Sequence, residues 1–299
     1  MATTTLTQAA PVKEVHAKLN HHLEVENGGS ETFLLGTGSD MVRNKHDVVE
    51  TVIENIRGHE ADFKLDEQGF QLLQGVNPIK TSESDWVKAN HYEHVAEKIR
   101  AYSGASEILV VSHNVRPNRP KDDRSMPMEY AQRVHVDYSF TGAYDTFTAK
   151  CPQYAEKFDK VRWAVINWWQ PFDVPVTRMA LAMCDARTVP EQDWREVTTL
   201  RAHQKSYKLS EYYQKLPDFG SWKLARPQVP GTHKWYFAHE MQLDEALMIK
   251  IFDSKEHGVS RRVPHSAFQS PLDHGPERKS IEFRCVAIWD DEPVRGRTA

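Results

Sequence analysis

The sequence predicts an α+β fold in which helices pack on an antiparallel β-sandwich or barrel. Two observations carry this expectation. Helix-like periodicity is confined mainly to the first third of the chain, and the remainder is a succession of strand-like runs without alternating helices. Neither a GxGxxG nor a GxxxxGK[ST] string occurs, so no Rossmann or P-loop unit competes with that reading.

Taken in order, short strand-like runs at about 13–22 and 31–35 flank the turn-forming Glu26-Asn27-Gly28-Gly29. A helix is predicted over about 40–57. Met41, Val42, Val48, Val49, Val52, Ile53 and Ile56 recur at helical spacing, with Asp40 as N-cap and Gly58 as terminator. Residues 63–76 read as a strand or strand pair, and about 85–102 as a second helix with Trp86, Ala89, Tyr92, Val95, Ala96 and Ile99 on one side. From Ile108 the period changes to that of strands, with 108–111 and 132–139 as candidates before a short helix at about 145–159. Four strands are then expected, at 163–169, 179–184, 235–239 and 246–252, followed by the clearest one at 280–289. Residues 187–232 are polar, weakly periodic and contain Pro217, Pro227 and Pro230, so they are expected to form a loop insert over a pocket. No boundary divides the chain. The expectation is a single domain, with 1–107 as support and 108–290 as the β core.

Composition narrows the function. A formal net charge of −4 gives no electrostatic reason to expect nucleic acid or an anionic membrane as partner. No apolar run reaches the roughly 18–20 residues of a membrane span. The first residues lack the basic and apolar regions of a secretory signal. Cys151, Cys184 and Cys285 are odd in number and widely spaced, which fits a reducing compartment and a cytoplasmic setting. The expected partner is a small molecule, with a homodimer left open.

Chemistry concentrates in His135-Val136-Asp137 and, far downstream, in His265. In a strand, residues i and i+2 share a face, so His135 and Asp137 project together while Val134 and Val136 point the other way. One further histidine would complete a 2-His-1-carboxylate facial triad, the donor set of non-haem Fe(II) sites. The string alone is weak. With 15 His and 42 acidic residues, His-x-Asp/Glu is expected about twice by chance and occurs three times, at His22, His91 and His135. Strand order adds weight, because four strand candidates separate Asp137 from His265 and an arginine-bearing strand follows. His203, His233 and His239 lie in the same interval and compete for the third position.

The chain resembles the AsaB-like fungal hydroxylase/desaturase family, related to the cephalosporin 7-alpha-methoxylase component. The likeness is carried by His135-Val-Asp137-Tyr138, Arg162-Trp163 through Asn167-Trp168-Trp169 to Pro171, and Met183-Cys184-Asp185-Ala186-Arg187. It continues through Lys234-Trp235-Tyr236-Phe237, Ile251-Phe252-Asp253-Ser254, Pro264-His265 to Phe268, and Arg278-Lys-Ser280 to Arg284. The resemblance implies a double-stranded β-helix (jelly-roll, cupin-like) core with the N-terminal helices packed on one sheet. It also implies Fe(II) with 2-oxoglutarate and O2 as cosubstrates, and oxidation of a specialised metabolite by hydroxylation, desaturation or ring formation. His135, Asp137 and His265 would be the iron ligands. Arg278, Ser280 and Arg284 share parity and would face the cosubstrate, an arginine fork and a hydroxyl matching a carboxylate, with a salt bridge at the barrel rim as the equal alternative for Arg284.

Arg133, Tyr138, Trp168, Trp235 and Phe268 stand close to these motifs and are candidates for the substrate pocket, although core packing is the simpler account of each aromatic and loop solvation of Arg133. Two other functions use the same features. One is a cupin-like metal-dependent dioxygenase or hydrolase that does not use 2-oxoglutarate, and the other is a non-catalytic β-barrel that binds a small molecule. The sequence does not name the substrate.

Overall fold

The computed structural model describes residues 12–35, 44–116, 130–201 and 218–294. Its architecture is two facing sheets. The smaller is a five-stranded antiparallel sheet in the order β4-β12-β7-β14-β5, from β4 (Phe70–Gln74), β12 (Glu245–Asp253), β7 (Val161–Pro171), β14 (Ser280–Pro293) and β5 (Glu107–Arg116). The larger has nine strands in the order β1-β3-β11-β8-β13-β6-β10-β9-β2. Its outer members are β1 (Glu14–His22), β3 (His46–Asn55), β9 (Trp194–Arg201) and β2 (Thr32–Leu35). Its inner members are β11 (Trp235–Phe237), β8 (Leu181–Cys184), β13 (His265–Ala267), β6 (His135–Val136) and β10 (Phe219–Leu224). This is the double-stranded β-helix arrangement, with β6-β13-β8-β11 facing β5-β14-β7-β12.

The central strand β7 shows why its sequence is almost continuously apolar. Trp163, Val165 and Trp169 belong to the core between the sheets, with Val286, Ile288, Leu247 and Ile249. Ala164, Ile166 and Trp168 belong to a second core on the opposite face. That face is covered by helix α1 (Ser84–Ser103), which contributes the fully buried Val87, Val95 and Ile99. Each such side chain contributes roughly 1.5–3 kcal/mol of burial. The Glu83 side chain caps α1 by accepting from the amides of Asp85 and Trp86, and Gly104 ends it in the left-handed region at φ 71°.

Three sequence expectations change. The helix predicted over 40–57 is strand β3 where it is described, and its first residues, 40–43, lie outside the described residues. β3 pairs with β1 along nine positions, from Glu14 opposite Glu54 to His22 opposite His46. Its apolar residues fit either period, but Val48, Val49, Thr51, Val52 and Ile53 are all β-branched, and that density favours the extended form.

The insert over 187–232 is not all loop. β9 and β10 pair within it from Phe219–Thr199 to Leu224–Trp194, and β10 joins β6. Six strands, β7 to β12, therefore separate Asp137 from His265, where four were expected. β9 sets Arg195 beside Glu196 and Thr198 beside Thr199, without an apolar–polar alternation, so its branched Val197, Thr198 and Thr199 did not mark a strand.

Finally, the helix expected at 145–159 begins earlier, as α2 (Phe140–Lys150), with a separate short α3 (Ala155–Phe158). Ser139 caps α2 by accepting from the Gly142 amide. Gly142 is required there, since a Cβ would lie 2.1 Å from the Gly220 carbonyl oxygen of β10.

Candidate metal centre

The short strands β6 and β13 bring the two histidines together. His265 lies directly opposite His135 on one side and Met183 on the other, and Met183 lies opposite Tyr236. Opposed residues share a face, so these four side chains form a row across the sheet, and Asp137 follows His135 on the same side. The imidazole centroids are 4.6 Å apart, His135 Nε2 is 3.5 Å from Asp137 Oδ1, and the ligand atoms of all three residues lie within 4.8 Å of one another.

Each imidazole is held through its other nitrogen. His135 Nδ1–H donates to the Arg133 carbonyl at 2.9 Å, and His265 Nδ1–H donates to the Val263 carbonyl at 3.0 Å. A carbonyl only accepts, so Nδ1 carries a proton in both rings and Nε2 is the nitrogen left for a metal. Burial, reinforced by Arg133 and His265, pushes the His135 pKa down to about 3, which keeps that ring neutral.

Asp137 is held on one oxygen. Its Oδ2 accepts from Asn167 Nδ2 at 2.7 Å and from Arg284 Nη1 at 2.6 Å, while Oδ1 is turned towards His135. Burial alone would raise its pKa, but the Arg284 guanidinium holds the carboxyl well below the usual range. Two imidazole Nε2 atoms and one carboxylate fit a divalent cation of the Fe(II) class. Among the described residues no other group of three metal-capable side chains is gathered this closely. His233 is instead committed to a buried bond with Asp193 Oδ2 at 2.9 Å, and His239 lies against Phe237 and Glu240. His203 lies outside the described residues.

Arg278 and Ser280 sit in a different electrostatic setting. The Arg278 guanidinium is 3% exposed, stacks over Tyr130 and Trp169 at 4.5 and 5.2 Å, and donates from Nη1 to the Met179 carbonyl. Its Nε and the Ser280 hydroxyl have no hydrogen-bond partner among the described residues. No ion pair engages Arg278 among the described residues, and burial pushes its pKa down to about 10. A buried cation with an idle donor beside an idle hydroxyl is a fitting receptor for a carboxylate.

The other sequence candidates divide. Arg284, expected beside the cosubstrate, has its guanidinium on Asp137 and Glu282. Tyr138 stays close, with Arg284 over its ring at 5.4 Å. Arg133 is linked to His135 through its carbonyl. Trp168 points away, into the core under α1, because residue 168 has the opposite parity to Asn167. Trp235 is opposite Cys184, out of phase with the Tyr236–Met183–His265 row, and its ring packs on His21 at 6.1 Å. Phe268 packs on Phe237, which shares Trp235's parity. Trp169 is the tryptophan of β7 that faces the site.

Against known proteins, a family model described as an oxidoreductase/YMDC permease-like domain matches residues 30–288. The hydroxylase/desaturase efuI of Hormonema carpetanum is 33% identical over 303 residues, covering 96% of this chain and 99% of that protein. The chain belongs to the hydroxylase/desaturase family. A second member, CTB9 of Cercospora beticola, is 34% identical over 92% of this chain and 87% of its own length. The alpha-ketoglutarate-dependent dioxygenase phiK of a fungal species is 28% identical over 90% of this chain and 99% of its own. Among solved structures, the iron and alpha-ketoglutarate-dependent endoperoxidase NvfI shares the fold, with a TM-score of 0.72 at 20% identity over 94% of this chain and 99% of that one.

Sequence reasoning passed over two residues of this hydroxylase/desaturase centre. Asn167 was visible as a lone amide inside the apolar run of β7 at inward parity. Lys223 was not, because it lies within the insert read as loop, although it is directly opposite His135.

Proposed function

We propose that this protein is a non-haem Fe(II)/2-oxoglutarate-dependent oxygenase that hydroxylates, desaturates or oxidatively cyclises a small specialised metabolite. The observation that carries the reading is the triad itself. His135 and His265 offer Nε2 to the same point that Asp137 Oδ1 faces, and all three are oriented by second partners. When bound, the iron supplies the oxidative decarboxylation of 2-oxoglutarate with O2 and removal of a substrate hydrogen.

The chain's own residues fix the rest. The Arg133 and Val263 carbonyls set the imidazole tautomers. Asn167 and Arg284 hold Asp137 by Oδ2, which favours ligation through a single oxygen. Arg278, oriented by the Met179 carbonyl, and Ser280 receive the distal carboxylate of 2-oxoglutarate. Asp137 as a ligand also disfavours halogenation, which needs that coordination position free. The described strands act as one oxygenase domain, since N-terminal β1 and β3 extend the sheet that carries the ligands. No helix among the described residues is long and apolar enough to cross a membrane, and a cytoplasmic setting suits three buried free cysteines.

Anaerobic addition of Fe(II) and 2-oxoglutarate should produce a weak visible charge-transfer band, absent in His135→Ala and Asp137→Ala. Succinate release should require O2. A wild-type protein without the band, or turnover indifferent to omission of 2-oxoglutarate, overturns the assignment in favour of a cofactor-independent barrel or another class of metal enzyme.

A further inference from the structure

Ser280, Glu282 and Arg284 alternate along β14 and share its inward face, between the receptor at Arg278 and the metal ligands. The Arg284 guanidinium divides its two terminal nitrogens between two carboxylates. Nη1 meets Asp137 Oδ2 at 2.6 Å, and Nη2 meets Glu282 Oε1 at 3.0 Å. The Asp137, Arg284 and Glu282 side chains are 14%, 12% and 18% exposed, so solvent screens the cluster poorly. Its cross-strand neighbours are uncharged. Asn167 and Ser112 lie opposite Arg284, and Trp169 and Asn114 lie opposite Glu282. Among the described residues Glu282 has no other ion pair.

Two carboxylates and one guanidinium leave this cluster with a net negative charge, where Arg284 and Asp137 alone would be neutral. The surplus matters for a carboxylate that must also hold a metal. A guanidinium whose only anion is Asp137 competes with a dication for that carboxylate, and a second anion on its other nitrogen weakens the competition. Building on the iron reading above, we infer that Glu282 is a positioning residue of the metal centre, which acts through Arg284 to keep the site anionic for the metal. The same charge stands two positions from Ser280, on the face that receives the distal carboxylate of 2-oxoglutarate. Glu282 therefore works in opposite directions on the two ligands, attracting the dication and opposing the dianion. A carboxylate that only packed against Arg284 would leave no such signature.

The test compares Glu282→Gln, which keeps the shape and removes the charge, with Glu282→Asp, which keeps the charge on a shorter stem. Co(II) affinity of the full chain is read by competition with a chromophoric chelator, and 2-oxoglutarate affinity by calorimetry at saturating Co(II). In Glu282→Gln the Co(II) affinity should fall about 5- to 10-fold while the 2-oxoglutarate affinity rises about two- to fivefold. Glu282→Asp should stay within about twofold of wild type for both ligands. Should Glu282→Gln fail to fold by circular dichroism, Glu282→Thr, neutral and suited to a strand, replaces it. Affinities unchanged in the neutral variant, both affinities falling together, or equal shifts in the neutral variant and Glu282→Asp overturn the proposal. The Fe(II)/2-oxoglutarate charge-transfer band of the wild type reports separately on the iron reading. A band with no opposed shifts rejects the role of Glu282 alone, and a missing band rejects the metal centre on which the proposal rests.

Discussion

Arg284 and Arg278 stand six positions apart at the start of the same strand region, both largely buried, yet they live in opposite electrostatic states. Arg284 has a carboxylate in hand. Burial works against its charge, but Asp137, then Tyr138 and Glu282, hold its pKa well above the ordinary arginine value. Among the described residues Arg278 has no such partner, and burial pushes its pKa down to about 10. Desolvating a guanidinium is unfavourable unless an anion compensates it. One arginine is therefore compensated within the folded chain, while the other is suited to compensation by an incoming ligand. On the proposed function, that difference separates a residue that shapes the metal centre from one that would recruit a cosubstrate, and for Arg284 the salt-bridge alternative is the one the geometry favours.

The comparison breaks most clearly at Arg284. Arg284→Met leaves Asp137 buried and ionised without its main counter-charge, and removing one partner of a buried pair costs about 3–5 kcal/mol. The urea-unfolding midpoint of the metal-free protein should fall accordingly. Co(II) should restore more stability to the variant than it adds to the wild type, because the dication takes over the task of neutralising Asp137. An apo stability within about 1 kcal/mol of wild type would mean that the ion pair is incidental.

Arg278→Met should behave in the reverse manner. The apo protein loses one bond to the Met179 carbonyl but also sheds an uncompensated buried cation, so its stability should change by no more than about 1 kcal/mol. The affinity for 2-oxoglutarate, read from the charge-transfer band, should fall about 10- to 100-fold, equivalent to roughly 1.5–3 kcal/mol of charge-assisted hydrogen bonding. A destabilisation as large as that of Arg284→Met, with unchanged affinity for 2-oxoglutarate, would erase the distinction between the two arginines.

This distinction also marks where the sequence stopped being informative. The spacing of His135, Asp137 and His265, and the parity of Arg278, Ser280 and Arg284, were legible because a strand alternates its faces with a period of two. The same rule places Asn167 inward and Trp168 outward, so Trp168 could have been set aside from parity alone. What periodicity does not encode is which anion an inward arginine meets across the space between sheets. Asp137 and Arg284 are 147 positions apart, and only the facing of β6 against β14 joins them. The misread helix at β3 has a different cause. Its apolar positions satisfy two periods at once, and nine cross-strand pairs with β1, a tertiary effect, favour the extended one. β9 and β10 were missed because neither shows an apolar–polar alternation: Arg195 and Glu196 are adjacent in β9, and Gly220 and Ser221 interrupt the apolar positions of β10.

Asn167 offers the finest test. It is fully buried, donates to the same Asp137 oxygen as Arg284, and its own Oδ1 lies 3.4 Å from Arg284 Nη1, so it steadies both members of the pair. In Asn167→Ala, Arg284 keeps its charge on Oδ2, and the loss should be only about 1–1.5 kcal/mol, or roughly 5- to 10-fold in metal affinity. A role confined to packing lowers stability but leaves the metal site as it was. A role in orienting Asp137 shifts the Co(II) d–d spectrum as well, since a carboxylate freed on one side turns and changes its ligation. Affinity for 2-oxoglutarate at saturating metal should remain near wild type, because Arg278 is untouched. Weakened metal binding with a shifted spectrum and intact cosubstrate affinity would tie Asn167 to the Arg284 side of the comparison. An unshifted spectrum would leave Arg284 as the sole support of Asp137.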